Sequence, residues 1–290
     1  MIRPALLALA ALTAAAASPP PPILPVASIP PRRIVSINPC VDAVLYAVAP
    51  SAGIAAISHY SQDSAATSVP LAWAMAHHAI YGTAEEIIAL HPDLVIASPY
   101  TERATRAAMA RAGLRVVLVG IPQSIAESAA DVRAIAAAVG ARAAGASLNA
   151  RIARALAAAA PPPGSAPVGA VIYEEGGLVP GAHTLADELL RRAGFVNLSA
   201  AYGLQQWDLL PAERLVARPP RVIFTPLEAP RRDGSFEAAS RTLRARALHR
   251  VAAHALLADY PEALLHCAGP SLIPAAERLA AARRRVTPAA

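Results

Sequence analysis

Lysine is absent from the sequence, so all 26 of its Lys and Arg positions are arginine. Aromatic residues make up only 4% of the 290 residues and charged residues only 16%, whereas hydrophobic residues make up 55%. This composition excludes a disordered polar chain and predicts a core built largely from alanine and aliphatic side chains. The net charge of +6 reflects a uniform use of arginine. We therefore expect no nucleic-acid partner.

Long hydrophobic runs are also missing. The uncharged run from Ala5 to Ala17, which follows Arg3, is too short to cross about 30 Å of hydrocarbon, and no later run reaches about 18 residues. A run of this kind followed by Ser18 and several prolines is typical of a cleavable signal peptide. We predict a signal peptide over 1–18, a proline-rich spacer over 19–31, and a protein exported to the periplasm.

Motifs of common enzyme classes are not found either. The sequence has no G-x-S-x-G, H-E-x-x-H, Walker or G-x-G-x-x-G pattern, and no set of Ser, His and Asp residues stands out. A secreted enzyme is thus the least favoured interpretation. We expect no catalytic residues and no resident cofactor.

Apolar runs alternate with segments of helical period through the first 120 residues. Strands are predicted over 33–37, 53–58, 93–97 and 114–119, and helices over 41–48, 84–90 and 102–112 lie between them. Buried strands that alternate with helices predict a parallel sheet covered on both faces.

The following segment differs because it contains only helical periodicity. Residues 121–163 predict two successive helices, the second of roughly 18 residues or about 27 Å, and a strand over 168–173 then restarts the alternation. The predicted fold is α/β, with two Rossmann-like lobes of parallel sheet joined by a long helix. We place the N-terminal lobe at 32–121, the helical linker at 122–163 and the C-terminal lobe at 164–286.

Two stretches of the chain align with each other without a gap. Residues 84–99 (AEEIIALHPDLVIASP) and 212–227 (AERLVARPPRVIFTPL) each predict a short helix, a proline and a buried strand. Glu85 and Glu213 are equivalent in this alignment. Thr83 and Glu86 also have the spacing of a helix-capping box, so acids here have a plain stabilising role as well.

Four motifs, in order, resemble the helical-linker periplasmic binding proteins that deliver cobalamin and ferric complexes to ABC importers. They are RIVSINPCVDAVLYAV, GTAEEIIALHPDLVIAS, LLRRAGFVN with LPAERLVARPPRVIF, and AGPSLIPAAERLA. The resemblance implies a monomer with two lobes that close on one large small-molecule ligand. It also implies that Glu85 and Glu213, one on each lobe, dock onto a dimeric permease.

Ligand-binding candidates come from the loops that follow the predicted strands, where α/β sheets bind ligands, and from the segment 73–81 just before the first aligned stretch. Aromatic side chains are prominent among them, and flat rings suit a corrin or porphyrin plane. The candidates are Pro39, Cys40, His59, Tyr60, Trp73, Tyr81, Tyr100, Trp207 and Cys267. Trp73 and Trp207 could equally be core residues.

The two cysteines, Cys40 and Cys267, do not lie in a C-x-x-C motif. An oxidising compartment permits a disulfide between them, although two buried unpaired thiols are the simpler interpretation. The resemblance places them in cleft loops of opposite lobes. A bridge there would lock the cleft, so we expect free thiols.

The ligand class remains open between several alternatives. A corrinoid is the first, with a ferric siderophore or heme close behind. A metal-ion binder of the same fold would need three or four converging ligands, for which His59, His77 and Asp63 are candidates without a specific spacing. The sequence alone assigns no metal ligand.

Overall fold

A computed structural model of the chain describes residues 30–49, 53–64, 67–174, 177–217, 219–227 and 255–286. The predicted signal peptide and nearly all of the proline-rich spacer lie outside these residues. Within the described ranges, no helix combines the length and the apolar character that a membrane span requires.

The N-terminal lobe is a five-stranded sheet in the order β3-β2-β1-β4-β5, and all of its strand pairs are parallel. Short helices connect the strands, as expected for parallel neighbours. The strands are β1 Ile34–Ser36, β2 Ile54–Ser58, β3 Ala79–Ile80, β4 Leu94–Ala97 and β5 Val116–Leu118; the helices are α1 Pro39–Val48, α2 Leu71–Met75, α3 Ala84–Ala89 and α4 Arg103–Arg111.

Helix α1 begins directly after β1 because the sequence supplies a complete start signal. The Asn38 side chain accepts a hydrogen bond from the backbone N–H of Cys40, and Pro39 occupies the first turn. Val41, Val44 and Leu45 are buried on the inner face of α1. The start of α1 is therefore held at the carboxyl end of the sheet.

Two helices form the linker: α5 Ile125–Ala138 and α6 Arg142–Ala159. Gly140, at a φ of +76°, makes the turn between them, a conformation that favours glycine. Gly145 of α6 lies so close to Ala136 of α5 that a side chain there would clash. The 18 residues of α6 span about 27 Å.

The C-terminal lobe contains a four-stranded parallel sheet in the order β11-β10-β6-β8. A separate antiparallel pair of strands, β7 and β9, was not expected from the sequence. The strands are β6 Val168–Ile172, β7 Leu178–Pro180, β8 Phe195–Asn197, β9 Trp207–Leu209, β10 Val222–Thr225 and β11 Leu256–Asp259; the helices are α7 Leu185–Arg192, α8 Leu198–Ala201, α9 Ala212–Ala217, α10 Ala263–His266 and α11 Leu272–Val286.

The predicted fold class is confirmed, and the two lobes repeat one arrangement. In the first lobe α3 leads into β4, which lies beside β1; in the second, α9 leads into β10, which lies beside β6. The final helix α11 packs against linker helix α6. The two aligned sequence stretches thus form equivalent units of the two lobes.

The expectation of free thiols is wrong, because Cys40 and Cys267 form a disulfide. Cys40 lies in the first turn of α1, and Cys267 follows α10 of the other lobe. Their Cα atoms are 5.0 Å apart, a separation at which a disulfide fits. Residues 227 positions apart in sequence give no local sign of such proximity.

Candidate ligand-binding cavity

A cavity of about 440 Å³ lies between the two lobes and the linker. It is of a size typical of small-molecule sites, which range over roughly 300–1,000 Å³. The N-terminal lobe contributes residues that follow its strands, the linker contributes one face of α5, and the C-terminal lobe contributes α7, Trp207 and the segment 264–269. The cavity thus lies where α/β sheets commonly bind ligands.

Six of the predicted ligand residues line this cavity: Pro39, Cys40, Tyr60, Tyr100, Trp207 and Cys267. Three of them present exposed rings, since Tyr60 is 53%, Tyr100 77% and Trp207 39% exposed. The two tyrosines come from the first lobe and the tryptophan from the second. The cavity therefore has aromatic surface on both sides.

His59 and Tyr81 do not line the cavity and instead form a stack with Tyr60. The His59 ring lies between the rings of Tyr60 and Tyr81, at centroid distances of 4.0 and 4.4 Å. The His59 ring therefore packs against the Tyr60 ring, and the exposed ring of Tyr81 packs against His59.

Trp73 is also outside the cavity. Its ring packs edge-on against Tyr46 and lies 4.3 Å from the ring of His77, whose Nδ1 atom is 2.8 Å from the carbonyl oxygen of Trp73. The structure therefore gives Trp73 a packing role on the first lobe. Among the described residues, no three His, Cys, Asp or Glu side chains come close enough together to hold a metal ion.

A buried carboxylate beneath Tyr60 fixes the turn that carries it. Asp42 of α1 is fully buried, and its Oδ2 atom accepts hydrogen bonds from the backbone N–H of Ser58 at 3.0 Å and the hydroxyl of Ser61 at 2.6 Å. Burial raises the pKa of Asp42 to about 7, although hydrogen bonds from Ser36, Ser61 and Ser58 oppose the shift. Asp42 thus positions the 3₁₀ turn His59–Gln62.

The polar side chains of the cavity are mostly hydroxyls and amides, among them Ser98, Gln123 and Thr184, and the imidazole of His266 also lines it. Asp131 of α5 also lines it, and burial together with the nearby Glu127 raises the pKa of this carboxyl group. No arginine lines the cavity within the described part of the chain.

Asp131 was not among the predicted ligand residues, because those came from loops and connecting segments of the lobes and Asp131 lies on a linker helix. Its sequence position could have indicated that it lines the cavity, because Asp131 lies beside Val132 and Ile135 on the predicted helix. Both of these residues are buried and line the cavity. The linker therefore forms part of the site as well as connecting the lobes.

A second acidic group with a shifted pKa lies at the end of β6. Burial, and to a lesser extent the charge of Glu262, raises the pKa of Glu174 to about 7. The backbone N–H of Glu174 donates to the carbonyl oxygen of Leu178 of β7 at 3.0 Å.

The two equivalent glutamates, Glu85 and Glu213, are both exposed in the first turns of α3 and α9. The predicted capping box is confirmed: Thr83 accepts a hydrogen bond from the Glu86 backbone, and the Glu86 side chain accepts one from the Thr83 N–H. Glu86 therefore serves the helix, whereas Glu85 is left facing solvent.

Residues 34–237 match the sequence model of a family described as periplasmic binding protein. The chain belongs to this family. No curated protein sequence matches this periplasmic binding protein.

Several solved structures share the fold of this periplasmic binding protein. A periplasmic heme-binding protein from Pseudomonas aeruginosa has 22% identity and a TM-score of 0.65, and the match covers 89% of this chain and 94% of that chain. The vitamin B12 binding protein BtuF of Vibrio cholerae has 19% identity and a TM-score of 0.65, covering 88% and 98%. The heme-binding protein BhuT, solved with two hemes, has 22% identity and a TM-score of 0.65, covering 87% and 98%.

Proposed function

We propose that this periplasmic binding protein captures a corrinoid and delivers it to an ABC importer. The observation that carries the proposal is the chemical character of the cavity. It offers aromatic rings from both lobes and hydroxyl and amide side chains, together with Asp131 and His266, but no guanidinium among the described lining residues.

The charge of the lining favours a corrinoid over anionic ligands. Heme carries two propionates, and many ferric siderophore complexes are anionic, so both are best matched by arginine. The chain has 26 arginines, yet the described cavity residues include none and do include the carboxyl group of Asp131. The rim of a corrin ring bears carboxamides, which hydroxyl and amide side chains such as Thr184 and Gln123 can hydrogen-bond.

The aromatic side chains suit the flat macrocycle. Tyr60 and Tyr100 on one lobe and Trp207 on the other can pack on a ring held between the lobes. Because Tyr100 is largely exposed, the cavity is open at this rim. A ligand larger than the enclosed volume can therefore extend out past it.

Delivery to a permease is supported by the family and by the two exposed glutamates. One acid on each of two equivalent lobe units matches a partner with two equivalent basic pockets. The signal-like residues 1–18 agree with action outside the cytoplasm, and we propose a periplasmic, monomeric protein with no resident cofactor and no catalytic role.

The ligand is tested by absorbance titration of the purified protein with cyanocobalamin, hemin and a ferric siderophore. We expect one cyanocobalamin per chain, bound at least tenfold more tightly than hemin. Tyr60→Ala and Trp207→Ala should each weaken cobalamin binding, whereas Tyr46→Ala, an exposed tyrosine outside the cavity, should not. Tight hemin binding without cobalamin binding would overturn the corrinoid proposal.

Heme is the second candidate because of one specific observation. Tyr60 lines the cavity with its ring packed on His59, and a phenolate is a known axial ligand of heme iron. If heme were the ligand, Tyr60→Phe would shift the visible spectrum of the complex. The same substitution should leave a cobalamin spectrum unchanged.

A further inference from the structure

The Cys40–Cys267 disulfide links the two lobes in a more buried part of the cavity wall than its rim, since Cys267 is 4% exposed whereas Tyr100 is 77% and Trp207 39% exposed. Cys40 belongs to the first turn of α1, and Cys267 to the segment between α10 and the 3₁₀ turn Gly269–Ser271. Both residues line the cavity. The bridge is therefore part of the wall that a ligand meets as well as a link between the lobes.

In addition to the disulfide, noncovalent contacts hold the segment around Cys267 against the first lobe and the linker. The backbone N–H of Gly269 donates to the hydroxyl of Ser128 at 3.0 Å, and the Ser68 hydroxyl donates to the carbonyl oxygen of Ala263 at 3.1 Å. A Cβ atom on Gly269 would lie 3.2 Å from Val44 of α1. The segment 263–271 therefore fits closely against both.

The two hydrogen bonds alone hold the segment only moderately, although Leu264 and Leu265 also pack against the buried core. A neutral hydrogen bond contributes about 0.5–1.5 kcal/mol net, so two of them are broken frequently by thermal motion. The disulfide cannot be broken in this way. It keeps the inner ends of the two lobes together even when the noncovalent contacts open.

We propose that the Cys40–Cys267 bridge retains the ligand by holding the floor of the cavity closed, so that the lobes separate only at the rim formed by Tyr100 and Trp207. This inference rests on the proposed function, because it concerns the release of the ligand from that same cavity. Differences in affinity between variants of one site arise mainly in the dissociation rate. The bridge should accordingly act on dissociation more than on association.

The test compares the oxidised protein, the protein reduced by dithiothreitol, and the Cys40→Ser/Cys267→Ser double variant. Dithiothreitol is oxidised to its cyclic disulfide as it converts the bridge into two thiols. A thiol titration should find none in the oxidised protein and two after reduction. Ser68→Ala, which removes only the hydrogen bond to Ala263, is the matched control.

The first readout needs no ligand. Amide hydrogen exchange in segment 263–271 and in α1 should be at least tenfold faster without the bridge, at a temperature where all the proteins remain folded. The second readout is the dissociation rate of cyanocobalamin, which should rise at least tenfold in the reduced protein and the double variant. The association rate and the Ser68→Ala rates should change less than threefold.

The possible failures are distinguishable. If the wild-type protein does not bind cyanocobalamin, the proposed ligand is wrong, and the exchange measurement still tests whether the bridge holds the floor. Unchanged exchange after reduction would overturn the inference. So would a lower melting temperature without any change in the dissociation rate, because a purely structural bridge predicts that result.

Discussion

The hydroxyl of Ser61 donates a 2.6 Å hydrogen bond to the carboxylate of Asp42 inside the first lobe. This contact joins α1 to the turn that presents Tyr60 to the cavity. It also places an ionisable group where water does not reach, which makes the stability of the lobe depend on pH.

Because the pKa of Asp42 is raised in the folded protein, we expect the free energy of unfolding to fall as pH rises. Its pKa is about 7 in the folded protein and near the ordinary value of 3.8 when unfolded, so between these values the folded chain binds the extra proton. The contribution of Asp42 to the free energy of unfolding therefore falls by up to about 1.4 kcal/mol per pH unit from about pH 4 to pH 7.

Urea unfolding of the wild type and Asp42→Asn at intervals from pH 4.5 to 8 measures this effect. Asparagine keeps an acceptor for Ser61 but does not titrate, and other acids cancel in the difference. The wild type should lose stability relative to Asp42→Asn as pH increases. A difference independent of pH would contradict the assigned pKa.

Thr83→Ala should lower the free energy of unfolding by about 1 kcal/mol, because it removes the side chain that caps α3. Thr83→Ser retains the hydroxyl and should lose much less. Denaturant unfolding measures both variants. Equal losses would show that the methyl group of threonine, and not the cap, is responsible.

Gly181→Ala should destabilise the second lobe by about 1–3 kcal/mol through overpacking. A Cβ atom at Gly181 would collide with the carbonyl oxygens of Leu204 and Gln206, and the Gly181 N–H donates to the latter. Gly120→Ala is the matched control, because a Cβ atom there meets nothing within 4 Å. Thermal unfolding of both variants should separate them by several degrees.

Charge reversal of both Glu85 and Glu213 to arginine should abolish uptake of labelled cyanocobalamin while leaving its affinity for the purified protein unchanged. Both side chains are exposed and neither lines the cavity. Glu277→Arg, at an exposed acid on α11, has the same change in net charge as Glu85→Arg or Glu213→Arg alone and is the control for each of these single variants. A parallel loss of ligand affinity would argue against a docking role.

Much of the fold could be predicted from hydrophobic periodicity and from the residues that start and end helices and strands. The strand predicted over 93–97 is observed as β4 Leu94–Ala97, and the helix after Asn38-Pro39 begins at Pro39. Both predictions succeeded because a buried strand and a helix cap are determined by residues that are close together in sequence. The β7–β9 ribbon was not predicted. Its strands have three residues each, and their pairing depends on residues about thirty positions apart.

Only some of the residues that line the cavity could be predicted from the sequence, for a similar reason. The predicted loops after strands contain Tyr60 and Trp207, both of which line the cavity. Trp73, in contrast, has the same aromatic character but packs on Tyr46, a contact between two helices that no local pattern encodes. Asp131 lies on a helix that the sequence identified only as a connector.

The distance along the chain between the two cysteines also bears on biosynthesis. Cys40 is made before Cys267, and the two are separated by 227 positions. Until the later residue emerges, the earlier thiol has no native partner and can react with small oxidants or with another molecule. Because the chain has only two cysteines, the wrong products are mixed or intermolecular disulfides, and a host that supplies a thiol–disulfide exchange catalyst to reverse them should raise the yield of the bridged monomer.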